Sequence, residues 1–171
     1  GFKGTVDRVC EIGPGTGRYL ERTRKACSPA YYEIYETARA WEQYLVATYR
    51  VTAQKADGSS LSATPSESID LVQAHKVMSG QTTLIICRYF AEMARVVREG
   101  GYVVFDIVTE DCLGPDLLEK WLSTGASYQH YPCLVPRQFT MDFFAGRGLR
   151  CTGSFIVPML PGVTECFVFR K

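Results

Sequence analysis

The chain has 171 residues, 46% of them hydrophobic, which suits one globular domain with a sizeable core. Its 19 Lys and Arg stand against 18 Asp and Glu, a formal charge of +1, so the charge balance does not point to nucleic acid or an anionic membrane as the main partner. No apolar run reaches the roughly 20 residues of a membrane-spanning helix, and the opening GFKGTVDR lacks the apolar stretch of a signal peptide.

The expected elements alternate along the chain. Residues 6–12 read as a strand and 17–26 as a helix. YYEIY, 31–35, is aromatic and β-branched and reads as a second strand; 38–49 follows as a helix and 49–54 as a third strand. IDLVQA, 69–74, is a fourth strand. Residues 82–98 form the clearest helix, with Ile85, Tyr89, Met93 and Val96 or Val97 on one apolar stripe, and Glu99-Gly100-Gly101 as its cap. A fifth strand spans 102–108, and helices are expected over 115–123 and 137–148. The tail differs in kind: 150–158 and 164–170 read as two strands joined by MLPGV, a hairpin. Repeated strand–helix units predict a doubly wound α/β fold, a mostly parallel sheet of about seven strands with helices on both faces and an antiparallel C-terminal hairpin.

The seven cysteines, at 10, 27, 87, 112, 133, 151 and 166, form no C-x-x-C pair and have no His at ligand spacing. Such a dispersed, odd-numbered set reads as apolar thiols in a reducing compartment, hence a cytoplasmic protein without a metal site.

The chemistry concentrates in Glu11-Ile12-Gly13-Pro14-Gly15-Thr16-Gly17, between the first strand and the first helix. A phosphate-binding P-loop needs Lys-Ser/Thr after its last glycine, which is absent. A dinucleotide fingerprint needs a sixth-position glycine, where Arg18 or Leu20 stands instead. What remains is E/D-x-G-x-G-x-G. This resembles the first motif of the class I S-adenosylmethionine-dependent methyltransferases, whose cofactor has no phosphate and needs bare backbone beside it.

The later elements follow that family in order and cover essentially the whole chain. Glu36 ends the second strand, where a carboxylate accepts from both ribose hydroxyls. Asp57-Gly58 follows the third strand at the place of the adenine-binding acid, and IDLVQAHKV resembles the fourth-strand motif, with Gln73 and Ala74 at its carboxyl end. The resemblance implies S-adenosylmethionine as cofactor, held by Glu11, Gly13, Pro14, Gly15, Gly17, Glu36, Asp57, Gly58, Gln73 and Ala74. Each acid also has a plain structural role open to it: Glu36 at a helix start, Asp57 in a turn. Asp70 enters its strand far from the carboxyl end and reads as structural, and Glu33 lies three residues from Glu36, on the other strand face.

Residues 1–171 are expected to form one methyltransferase domain. Since the chain starts with Gly a few residues before its first strand, the family's usual N-terminal helices are not expected within it. The acceptor is reached by elimination. No [DN]-P-P-[FY] follows the fourth strand, and Pro132-Cys133 stands after the fifth strand, not the fourth, unlike a cytosine-methylating motif. A hydroxyl of a small metabolite or sugar is the expectation. His75, just past the fourth strand, has the ordinary pKa of a general base, with a hydrogen-bonded structural histidine as the alternative. Trp121, Tyr128, His130 and Tyr131 read as a substrate wall or as packing; Asp106 and Asp111 border the fifth strand and bind substrate or cap the next helix. An inactive methyltransferase-like scaffold, a nicotinamide oxidoreductase, and an RNA or protein methyltransferase are the competing functions.

Overall fold

A computed structural model describes residues 5–123, 133–159 and 162–171. Seven strands form one sheet: β1 (Arg8–Ile12), β2 (Tyr31–Tyr35), β3 (Thr52–Ala53), β4 (Ile69–Ala74), β5 (Val97–Ile107), β6 (Arg150–Met159) and β7 (Gly162–Arg170). Their order is β3-β2-β1-β4-β5-β7-β6. The first five pair in parallel, and β7 enters antiparallel between β5 and β6, as the terminal hairpin predicts. All six residues of β4 are buried, polar Asp70 and Gln73 included, as expected of a central parallel strand covered on both faces.

Strand alternation divides the core into two layers. On one face Val9, Tyr32, Ile34 and Leu71 pack with Leu20 of α1 (Arg18–Cys27) and Leu45 of α2 (Arg39–Tyr49). On the other, Cys10, Ile12, Tyr35 and Phe105 pack with Phe90 of α3 (Thr83–Val96) and Phe144 of α5 (Arg137–Ala145). The short α4 (Pro115–Ser123) follows β5. Phe105, Phe144, Phe167 and Phe169 stack in this second layer, the rings of Phe144 and Phe169 lying 4.3 Å apart.

Two local expectations need correction. The third strand is only Thr52–Ala53, because α2 continues through Tyr49 and Arg50 then turns left-handed (φ 52°). The Gly100-Gly101 pair is not a helix cap. α3 ends at Val96 and the chain passes directly into β5, whose irregular start contains both glycines. The carbonyls of Arg95 and Val96 accept from the N–H groups of Glu67 and Ser68, so the helix end is satisfied from outside. Asp70 is structural, as expected. Its carboxylate accepts from the backbone N–H of Asp7 and Arg8 and pairs with Arg98, pinning the start of β1 to β5.

Candidate functional site

The loop after β1 is built from three left-handed glycines: φ is 58° at Gly13, 54° at Gly15 and 80° at Gly17. Gly13 is the tightest position. Its N–H donates to the Tyr35 carbonyl (2.8 Å), and an added Cβ would lie 2.6 Å from Cγ2 of Val77. Only a bare backbone fits between β2 and the segment after β4. Gly17 starts α1, where a Cβ would meet Leu45 and Tyr49 of α2 at 2.9 and 2.8 Å. Pro14 shapes the turn by accepting from the Gly17 N–H at 2.9 Å.

Gly15 has open space beside it, and its N–H donates to Oε2 of Glu36 at 3.0 Å. The other carboxylate oxygen accepts from the Ala38 N–H at 2.9 Å. Glu36 is 8% exposed and has lone pairs left over, since a carboxylate offers about four acceptor sites. A cleft of about 190 Å³ opens beside this arrangement, lined by Ile12, Gly13, Thr37, Gly58, Val77 and Tyr89 among others. Its walls mix the apolar side chains of Ile12 and Val77 with the polar groups of Thr37, Gln81 and Tyr89, and Glu36 lies in the chain between the lining residues Tyr35 and Thr37. That combination suits a nucleoside, an aromatic base joined to a diol.

The remaining expected residues divide. Gly58 (φ 77°) lines the cleft, but the Asp57 carboxylate is occupied by its own turn. It accepts from the Ser60 hydroxyl and the N–H groups of Ser59 and Ser60, which hold its pKa down to about 2. Ala74 is fully buried at the end of β4, paired to Ile12. Glu11, Gln73 and His75 face away from the cleft. Glu11 is 1% exposed and accepts from the Tyr32 hydroxyl; Gln73 donates to that same hydroxyl and accepts from Thr23 of α1. Burial pushes the Glu11 carboxyl up to about 7, with Tyr32 and Gln73 only partly opposing. The His75 ring stacks on Tyr19 of α1 at 4.1 Å and lines a separate cavity of about 230 Å³ with Gln73, Thr23 and Cys27. Burial lowers its pKa, against a weaker opposing pull from Asp106.

The Asp106 carboxylate is engaged by β7 and by the turn after β4, and caps no helix among the described residues. It accepts from the Lys76 N–H (2.6 Å) and the Thr164 hydroxyl (2.6 Å), fixing Lys76 in a left-handed conformation (φ 60°). That turn delivers Val77 to Gly13. Glu33 is buried among Thr64, Tyr31 and Gln54, on the far side of β2 from Tyr32. Cys133 meets Thr83 at 3.2 Å, and the seven cysteines are free thiols. Tyr128, His130, Tyr131 and Pro132, and the side chain of Trp121, lie outside the described residues. Sequence reasoning missed Thr37, Val77 and Gln81 as cleft residues, and took Tyr89 only as part of an apolar stripe. Among the described residues no group of His, Cys, Asp and Glu is placed to hold a metal, and no helix is long and apolar enough to cross a membrane.

A family model described as a methyltransferase domain matches residues 2–152. The chain belongs to that family. Its sheet is that of the class I, Rossmann-like, S-adenosylmethionine-dependent methyltransferases. Among solved structures, a magnesium protoporphyrin IX methyltransferase from Synechocystis, with S-adenosylhomocysteine bound, superposes with a TM-score of 0.73 at 12% identity over 98% of this chain and 75% of that one. An S-adenosylmethionine-dependent methyltransferase from Mesorhizobium loti gives 0.72 at 14% identity, over 98% and 92%. An O-methyltransferase family protein from Burkholderia thailandensis gives 0.69 at 14%, over 97% of this chain but 51% of its own. No curated protein matches the chain in sequence.

Proposed function

We propose that residues 1–171 act as one S-adenosylmethionine-dependent methyltransferase domain that transfers a methyl group to a hydroxyl oxygen of a small metabolite or sugar. The cofactor is S-adenosylmethionine. The observation that carries the reading is the hydrogen bond from the Gly15 N–H to Glu36 beside the cleft, which couples the glycine loop to a carboxylate with free acceptor sites. In this reading Gly13, Pro14, Gly15 and Gly17 pass bare backbone under the cofactor. Glu36 accepts from the ribose hydroxyls, and Gly58, with Thr37, borders the adenine. Ala74 supports the floor from β4. Glu11 and Gln73 act beneath the site, steadying the end of β1 through Tyr32, and Asp57 shapes the turn that presents Gly58.

Bound in the cleft, the cofactor supplies an electrophilic methyl on a sulfonium. The chain's own part is alignment: the loop and Glu36 fix the nucleoside, so the acceptor oxygen needs only to be brought in line. His75 stands at the end of β4, and its ring lies on the α1 side, so the reading gives it no contact with the cofactor. The formal charge of +1 favours a small acceptor over RNA. Calorimetry with S-adenosylhomocysteine tests the site. Glu36→Ala should weaken binding by about 1–3 kcal/mol, the range for hydrogen bonds to a charged acceptor. Unchanged affinity would remove Glu36 from the site, and no binding by the unaltered protein would sink the enzyme reading.

A further inference from the structure

Tyr89 is the outlier in the cleft. It belongs to the apolar stripe of α3 and is 5% exposed, yet it lines the cleft together with Gly13 and Thr37. Its neighbours on the stripe, Ile86, Phe90 and Met93, are wholly apolar core residues, so packing alone would be served by Phe at position 89. The ring carries a hydroxyl, and that hydroxyl makes no hydrogen bond to any described residue. By contrast, the other buried tyrosine hydroxyls of β2 are engaged, Tyr32 with Glu11 and Tyr35 with Thr64. Tyr89 also lies within the field of both Asp57 and Glu36. Burial first, and then these two carboxylates, push its pKa up to about 12, so the phenol stays protonated and remains a donor. Neither acid accepts from Tyr89: Asp57 accepts within its own turn, and Glu36 accepts from the N–H groups of Gly15 and Ala38. The one Tyr89 proton is therefore free for a ligand acceptor at the nucleoside end.

Resting on the cofactor reading above, we propose that Tyr89 is a further cofactor-binding residue whose hydroxyl donates to an acceptor on the nucleoside half of S-adenosylmethionine, a ring nitrogen or a ribose oxygen. It complements Glu36, which takes hydrogen bonds from the nucleoside where Tyr89 gives one.

Tyr89→Phe is the direct test, because it removes the hydroxyl and no protein contact with it. The unliganded variant should melt at the same temperature as the unaltered protein. Its affinity for S-adenosylhomocysteine should fall roughly threefold to tenfold, the range for one neutral hydrogen bond. The same factor should appear for 5′-deoxy-5′-methylthioadenosine, which keeps the nucleoside and lacks the amino-acid part. Unchanged affinity for both ligands overturns the proposal, as does a loss for S-adenosylhomocysteine alone. If the unaltered protein binds neither ligand, the cofactor reading itself has failed, and that outcome is distinct from a failure of Tyr89.

Discussion

The carboxyl end of β4 serves two regions that differ in every respect but position. On one side Val77 and Gln81 border an open cleft, where the Tyr89 hydroxyl and the neighbouring Glu36 carboxylate keep hydrogen-bonding capacity unused. On the other, Gln73 and His75 face α1, where Thr23, Tyr32 and Tyr19 occupy their polar atoms or faces. The first region is arranged to receive something. The second is arranged to hold α1 on the sheet, and Glu11, Tyr32, Gln73 and Thr23 have already found each other. Proximity to the strand ends therefore does not make a ligand site; the face does, and face is set by the two-residue alternation along each strand.

The sharpest way to break this division is at Gly13, the closest contact on the cleft side. Gly13→Ala places a Cβ 2.6 Å from Val77 in a left-handed backbone. Backbone strain and overpacking together should cost about 2–5 kcal/mol of stability. Thermal unfolding reads that loss, and titration with S-adenosylhomocysteine should show binding abolished under conditions where the variant is still folded. A variant with unaltered stability and affinity would mean that Val77 yields freely, and that the loop is not held by close packing.

On the other face the largest effect belongs to Glu11. Its carboxyl pKa in the folded chain, about 7, lies above its ordinary 4.5, so the folded state holds an extra proton between those values. Stability from this group is full below about pH 4.5 and is lost as pH rises towards 7, by about 3 kcal/mol in all. His75, whose pKa is lowered, acts in the opposite sense below its ordinary 6.5, so the comparison needs a variant that keeps it. Glu11→Gln preserves an acceptor for Tyr32 and removes the charge. Relative to the unaltered protein it should gain stability between pH 5 and pH 8 in urea unfolding. A parallel pH dependence for the two proteins would show that Glu11 is not held protonated.

Much of this architecture is legible in the sequence because its signals are local. The EIGPGTG loop, the β4 segment IDLVQA and the terminal hairpin are each written in a few adjacent residues. The face on which Glu11 and Gln73 point is also implicit in alternation, since both share parity with Val9 and Leu71 of the α1 layer. It is hidden by the motif, which groups Glu11 with the glycines it precedes. Asp57 misled for a different reason: an Asp-Gly pair signals a turn and a binding acid equally well, and only the hydrogen bonds from Ser59 and Ser60 separate them. Tyr89 and Val77 were out of reach, because their place in the cleft depends on the packing of α3 and on the turn that Asp106 imposes at Lys76.

The smallest expected effect tests the division most cleanly. His75→Ala removes a ring that is stacked on Tyr19 and turned from the cleft. Stability should fall by about 1 kcal/mol, in line with the loss of one aromatic pair. Affinity for S-adenosylhomocysteine should stay within about twofold, because none of the groups assigned to the cofactor touches the imidazole. Tyr19, however, sits in the first turn of α1, directly after the glycine loop. A tenfold loss of affinity with the fold intact would therefore mean that α1 transmits the state of the α1-side cavity to the loop, and that the two regions work as one.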